Sequence, residues 1–206
     1  MGLLFTQGRV ESPKVSIIGT ESRFLAQRPV VLQLKEHVLS FSGDDFSIKD
    51  TNGLTYFKCK GKYITLHDRK YLYDIYNNPI ITIKENISLR FKQTLNDPKT
   101  DRKIASIKKS SIFSFRKLII KFYNKATNQK EELVLKSDLL SRTCGIYYGD
   151  SSNAPMVARI VKVLDAKTLF TNKDSYSLEI APNVDMALMV ALAIIFDEFK
   201  HEDGED

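Results

Sequence analysis

Cysteine is scarce in this chain. There are two in 206 residues, Cys59 and Cys144, far apart and in no C-x-x-C pair. A secreted domain stapled by disulfides needs more, so a reducing, cytoplasmic setting is expected. Histidine is almost as scarce, with His37, His67 and His201 only. The chain has no G-x-S-x-G elbow, P-loop or H-E-x-x-H pair, which removes the common hydrolase, nucleotide and zinc-protease signatures. The opening residues Met1 to Gln7 hold three consecutive apolar residues, too few for a signal peptide. The sequon Asn86-Ile87-Ser88 is therefore not expected to carry a glycan. The apolar run Met186 to Phe196 has eleven residues, whereas a membrane span needs about 20.

What is present reads as one mostly β domain. Hydrophobic residues make up 43%, enough for a sizeable core at this length. Period-two alternation dominates the middle of the chain. In Ile87 to Lys92 the apolar residues fall on one face and Ser88, Arg90 and Lys92 on the other. Lys117 to Phe122 sets Leu118, Ile120 and Phe122 against Lys117 and Lys121. Ser175 to Ile180 sets Tyr176, Leu178 and Ile180 on one side. Further strands are expected at 30–34, 46–49, 54–59, 71–76, 80–84, 104–108, 132–136, 144–148 and 157–164. Ser42-Gly43-Asp44, Asn52-Gly53, Asn77-Asn78-Pro79 and Asn96-Asp97-Pro98 punctuate them as turns. So many short strands mean a barrel or a sandwich.

The C-terminus breaks the alternation. A helix is expected over 184–200, with Asn183 as its N-cap and Asp185 at the positive end of its dipole. Met186 to Phe196 leaves it no polar face, so it must be surrounded on all sides. Its length, roughly 25 Å at ~1.5 Å per residue, matches the height of a small barrel. An antiparallel sheet closed around this helix would bury it and leave no free edges.

The net charge of +6 is concentrated. From Lys84 to Lys121 there are eleven Lys+Arg and three Asp+Glu, a net of +8. The remaining 20 basic and 22 acidic residues net −2. Regional basicity points to a local anionic partner, beside the plainer reading of a solvated face of ordinary strands. Elsewhere the plainer reading prevails. His67-Asp68-Arg69 reads as a structural turn, since sequence neighbours point different ways. Cys144 reads as a small core residue, although Arg142 nearby could lower its thiol pKa. Asp97-Pro98-Lys99-Thr100-Asp101 and Asn172-Lys173-Asp174 each carry a lysine and lack the glycine and glutamate of a calcium loop.

The ordered stretches Ile64–Arg69, Asn78–Glu85, Lys109–Ser111, Leu140–Gly149, Val157–Arg159 and Pro182–Ala187 resemble the LURP-one-related family. That family is similar to the Tubby C-terminal domain and the phospholipid scramblases. The resemblance covers about residues 24–203 of a single domain 1–206, leaving a flexible N-terminus and an acidic tail. It implies a closed antiparallel barrel of about twelve strands around a central hydrophobic C-terminal helix. It does not define an activity. Tubby domains bind phosphoinositides through basic side chains on the outer face of the barrel. This chain has no Trp, including beside Arg90, where plant members often carry one. It also lacks the cysteine cluster and membrane span of scramblases, so lipid scrambling is not implied.

The expected function is a non-enzymatic cytoplasmic module, peripheral to a membrane, that binds anionic phospholipid or phosphoinositide headgroups. The expected contacts are Lys84, Arg90, Lys92, Lys108, Lys117 and Lys121. Gly2 followed by Thr6 fits a myristoylation pattern, and one acyl chain needs a second signal such as a basic face. The alternatives are a protein-interaction scaffold without a lipid role and an enzyme of unrecognised class. No cofactor, metal or nucleic acid is expected, for want of a stacking-aromatic or helix-turn-helix motif, and the chain is expected to be a monomer.

Overall fold

A computed structural model describes residues 8–35, 46–62, 69–85, 92–111, 114–138, 143–163 and 175–202. Twelve strands follow one another: β1 Val30–Lys35, β2 Phe46–Asp50, β3 Thr55–Lys62, β4 Arg69–Tyr73, β5 Pro79–Glu85 and β6 Lys92–Asn96. They continue as β7 Lys103–Ser111, β8 Ser114–Asn124, β9 Gln129–Ser137, β10 Thr143–Tyr148, β11 Met156–Val163 and β12 Ser175–Ile180. Each pairs antiparallel with its neighbour in sequence, and β1 pairs with β12 to close the barrel. The helix α1, Met186–Glu202, runs through the middle. Closure uses every strand edge, which removes the edges that invite aggregation.

The expected alternation is what fills the barrel. Leu118, Ile120 and Phe122 point inward, as do Tyr176, Leu178 and Ile180, and all are buried. From Ala187 to Phe196 every helix residue is buried, so no side of this stretch of α1 meets water. Burying a large aliphatic or aromatic side chain gains about 2 kcal/mol, and Leu188, Met189, Val190, Leu192, Ile194, Ile195, Phe196 and Phe199 all do so.

Two expectations about the helix start are corrected. The helix begins at Met186, and its N-cap is Asp185 rather than Asn183. Asp185 Oδ1 accepts the Leu188 amide at 3.1 Å, the contact an N-cap makes with the third helical residue. Asn183 instead adopts a left-handed φ of 63° and donates from Nδ2 to Ser12 Oγ. The choice is tertiary. An N-terminal strap, residues 8–29, crosses the mouth where the helix begins, and Asp185 holds it there. Asp185 Oδ2 accepts the Gly19 amide (3.1 Å), the Thr20 amide (2.7 Å) and the Thr20 hydroxyl (2.7 Å). Ile17 bridges Val184 and Leu25 bridges Asp185. Burial pushes the Asp185 carboxyl above the ordinary range, outweighing these four hydrogen bonds.

A second network anchors the same strap. Asn124 accepts the Ile18 amide on Oδ1 and donates from Nδ2 to the Ser16 carbonyl and to Glu131. Glu131 also accepts from Thr127 and from the Tyr148 hydroxyl. Burial and this bond push Tyr148 up to about 12. Burial pushes Glu131 up as well, but its three side-chain donors win and hold it below the usual range.

Candidate anion-binding surface

The barrel's outer face is set by strand parity. Phe57 and Cys59 point inward, so Lys58 and Lys60 point out. On β4 Leu72 is inward, and Arg69, Tyr71 and Tyr73 are outward. Ile81 and Ile83 place Lys84 on the outer face, with Thr82 buried between its neighbours on that side. Gln93 and Leu95 place Lys92 and Thr94 outside, and Ile107 places Ser106 and Lys108 outside. The register then aligns Arg69, Lys84, Thr94, Ser106, Lys121 and Glu132 across β4 to β9. One rung over, Lys92 lies directly opposite Lys108.

Of the six cationic residues expected from sequence, five thus lie on the outer side of four consecutive strands. Arg90 falls outside the described residues, as does Gly2. The five differ in their surroundings. Lys84 pairs with Asp101, and that bond holds the Asp101 carboxyl below its ordinary value. Lys117 lies 2.7 Å from Asp150 Oδ2, with Lys136 3.3 Å from Oδ1 of the same carboxylate. Hydrogen bonds from Lys117, then Lys136, hold Asp150 low. Lys121 faces Glu132 across the β8–β9 ladder. Lys92 and Lys108 face each other across the β6–β7 ladder.

Sequence reasoning missed the part of the band on β3 and β4. Lys60 Nζ lies 5.5 Å from the Tyr73 ring centroid, and the Tyr71 and Tyr73 rings are 6.3 Å apart. The signal was Phe57-Lys58-Cys59-Lys60, an alternation as clear as that on β8, but it lies upstream of the charge window that began at Lys84. Of the strand expected over 87–92 only Lys92 is described; it opens β6, Lys92–Asn96, on the outer face, and the strand continues with polar Gln93 buried inside the barrel. Residues 86–91 lie outside the described residues.

Beyond Lys121 an open groove of about 650 Å³ is lined by Lys103, Ser106, Lys121, Lys130 and Glu132, among others. Its lining includes no histidine or cysteine. Cys144 is buried beneath the sheet, and burial, then Asp138, pushes its thiol well above the ordinary value. The expected option of a thiol lowered by Arg142 is therefore corrected, because desolvation disfavours the thiolate. His37 and His67 lie outside the described residues. The Asp97 loop is a turn in which Asp97 Oδ1 accepts the Lys99 and Thr100 amides at 2.9 and 2.8 Å. No three potential metal ligands cluster among the described residues. None of the described helices is long and apolar enough to cross a membrane.

The family model described as LURP-one-related matches residues 30–197, from the first residue of β1 to within α1. The chain belongs to the LURP-one-related family. Protein LURP-one-related 10 of Arabidopsis thaliana is 30% identical to this LURP-one-related chain over 190 residues, 89% of the chain and 96% of that protein. Protein LURP-one-related 15 of the same plant is 26% identical over 197 residues, 93% of the chain and 90% of that protein. An X-ray structure of a protein from Arabidopsis thaliana superposes with a TM-score of 0.62 at 23% identity. That match covers 88% of this chain and 97% of the other, and it establishes the likeness of fold.

Two of the stretches that carry the resemblance acquire physical reasons on this barrel. In Thr143-Cys144-Gly145-Ile146-Tyr147-Tyr148, Gly145 leaves room for the Tyr147 ring. A Cβ there would stand 2.7 Å from Tyr147 Cε2. In Pro182-Asn183-Val184-Asp185, the aspartate is the cap that joins strap to helix.

Proposed function

We propose that this LURP-one-related barrel is a non-enzymatic, peripheral membrane module that binds anionic phospholipid headgroups, phosphoinositides above all, through its basic outer face. The pair Lys92–Lys108 carries the reading. Both side chains stand on the outer face, opposite each other across the β6–β7 ladder, so an anion seated over them is attracted by two ammonium groups at once. Lys84 and Lys121 flank the pair on β5 and β8, and the band continues through Lys60 and Lys58 on β3. Each cation near an anionic bilayer contributes about 1 kcal/mol, so this group supports weak, salt-sensitive recruitment. Two buried free cysteines fit a reducing cytoplasm.

The test is flotation with phosphatidylcholine vesicles containing phosphatidylinositol bisphosphate, at low and physiological salt. Lys92→Glu with Lys108→Glu should abolish binding and leave the melting temperature close to wild type, since exposed charges add little stability. Unchanged flotation of the folded double variant rejects this face as the site. A wild-type protein that fails to float even at low salt favours the protein-interaction scaffold.

A further inference from the structure

Three of the five large apolar side chains exposed among the described residues sit together at one corner of the barrel. Leu54 is 62% exposed, Ile75 44% and Tyr76 75%. Leu54 ends the β2–β3 turn, and Ile75 and Tyr76 form the β4–β5 turn, so both turns project from the same mouth beside the adjacent strands β3 and β4. Neither turn needs these residues. The β4–β5 turn is held by Asp74, which accepts the Tyr76 amide at 3.0 Å and the Asn78 amide at 2.8 Å, and by Asn77 at φ 63°. The β2–β3 turn is held by Asp50, which accepts the Asn52 and Leu54 amides at 2.9 Å, and by Gly53 at φ 84°. Polar residues would satisfy both backbones equally well.

The surroundings are those of a membrane interface. Lys58 lies below the turns, with Nζ 3.0 Å from Asn77 Oδ1. Exposed Lys49 flanks β3 on one side, and Lys60 and the half-buried Tyr71 and Tyr73 continue down the outer face. The acids at this corner are engaged within the protein. Asp50 is occupied by turn amides, and Asp74 is buried and lies 2.8 Å from Arg23 Nη1. Glu21 also pairs with Arg23. Apolar tips above a rim of lysine and tyrosine match the layering of a bilayer surface, where aromatic rings settle at headgroup level and lysines reach phosphates.

We propose that the two turns bearing Leu54, Ile75 and Tyr76 insert into the headgroup layer of an anionic membrane, with Lys49, Lys58 and Lys60 meeting its phosphates. This rests on the headgroup-binding reading above and adds the orientation it lacks: the helix-start mouth tips toward the bilayer on its β3–β4 side. Because both turns are braced by their aspartates, insertion requires little ordering of the backbone.

The chain contains no tryptophan, so Tyr76→Trp supplies a single clean reporter. The probe is vesicles of phosphatidylcholine and phosphatidylserine doped with phosphatidylinositol bisphosphate. The new indole should shift to the blue and be quenched by lipids brominated high on the acyl chain. Tyr123→Trp, on β8 and four strands round the barrel from β4, should do neither. Ile75→Ser with Tyr76→Ser, both exposed and compatible with folding, should weaken partitioning about tenfold by removing apolar area from the interface. Flotation of the Tyr76→Trp protein without shift or quenching overturns insertion and leaves the headgroup reading intact. An equal shift on phosphatidylcholine alone overturns the role given to the lysines. A protein that binds no vesicle at all overturns both, with the headgroup reading the first to fall.

Discussion

Asp185→Ala is the sharpest test of how this barrel is held together. Four hydrogen bonds converge on the Asp185 carboxylate inside the protein, three from the strap and one from the helix. Alanine orphans all four donors at a site closed to water. At about 1 kcal/mol for each lost bond, the substitution costs about 4 kcal/mol. That is a large share of the 5–15 kcal/mol typical of a domain. Asp185→Asn keeps the shape. Its carbonyl must face the three donors on the Oδ2 side, which turns its amide toward the Leu188 N–H, a loss of about 1–2 kcal/mol.

The two variants also differ in pH dependence. Burial raises the folded pKa of Asp185 above the 3.8 of a free aspartate, so its ionisation opposes folding. Its contribution is fully present below pH 3.8 and declines as pH rises through the folded pKa. The advantage of wild type over Asp185→Asn should therefore be largest in acid and shrink toward neutrality. Urea unfolding reports both effects as midpoint shifts at constant slope. Amide exchange at Gly19 and Thr20 should speed up in Asp185→Ala as the strap loosens. A variant within about 1 kcal/mol of wild type, with unchanged exchange at those amides, would refute the idea that this carboxylate joins strap to helix.

Ala191→Asp places a carboxylate at the centre of a helix buried on every side, and should yield no soluble, cooperatively melting protein. Gly145→Ala drives a methyl into the Tyr147 ring and should lower stability by about 1–3 kcal/mol, an effect that Tyr147→Ala made alongside it should relieve. Burial raises the Asp74 carboxyl, but hydrogen bonds from Asn78, Arg23 and the turn amides outweigh it and hold the pKa low. Asp74 therefore stabilises the fold above pH 3.8 and loses that contribution as pH falls through its folded value. Asp74→Asn should flatten this part of the acid-unfolding curve. Cys144 and Cys59, both buried, should react with a thiol reagent only at the rate of unfolding; rapid labelling of folded protein would contradict the closed barrel.

The inward residues of β8 and β12 could be read directly, because closed barrels fill their interiors by alternation and these strands carry it in Leu, Ile, Phe and Tyr. The helix was as clear, since eleven apolar residues without a polar face admit few environments. Less legible was anything decided between distant segments. Asn183 and Asp185 are equally good caps by type. Only the strap, 165 and 166 residues away in the chain, selects the aspartate. The end of β4 was misplaced because Tyr73 to Tyr76 looks extended by composition, while Asp74 gathers amides into a turn. The convergence of lysines on β5 to β8 followed from parity and neighbour pairing. What parity alone could not give was the unequal standing of those lysines, since Asp101 and Asp150 come from turns whose path the sequence does not fix.

The order of elements along the chain has a consequence for its birth. The helix that fills the barrel is C-terminal to all twelve strands, and β1 closes against β12. While the first strands leave the ribosome, hairpins such as β7–β8 can form, yet they have no interior to pack against. Val30 waits for Ile180, and the apolar faces of every strand wait for Met186 and the residues after it. Synthesis at 5–20 residues per second leaves these faces exposed for roughly 10–30 seconds. Until the helix emerges, such exposed apolar faces and unpaired strand edges are prone to aggregate. A transcript truncated anywhere before the helix yields a sheet with nothing to enclose, open to degradation rather than a smaller working barrel.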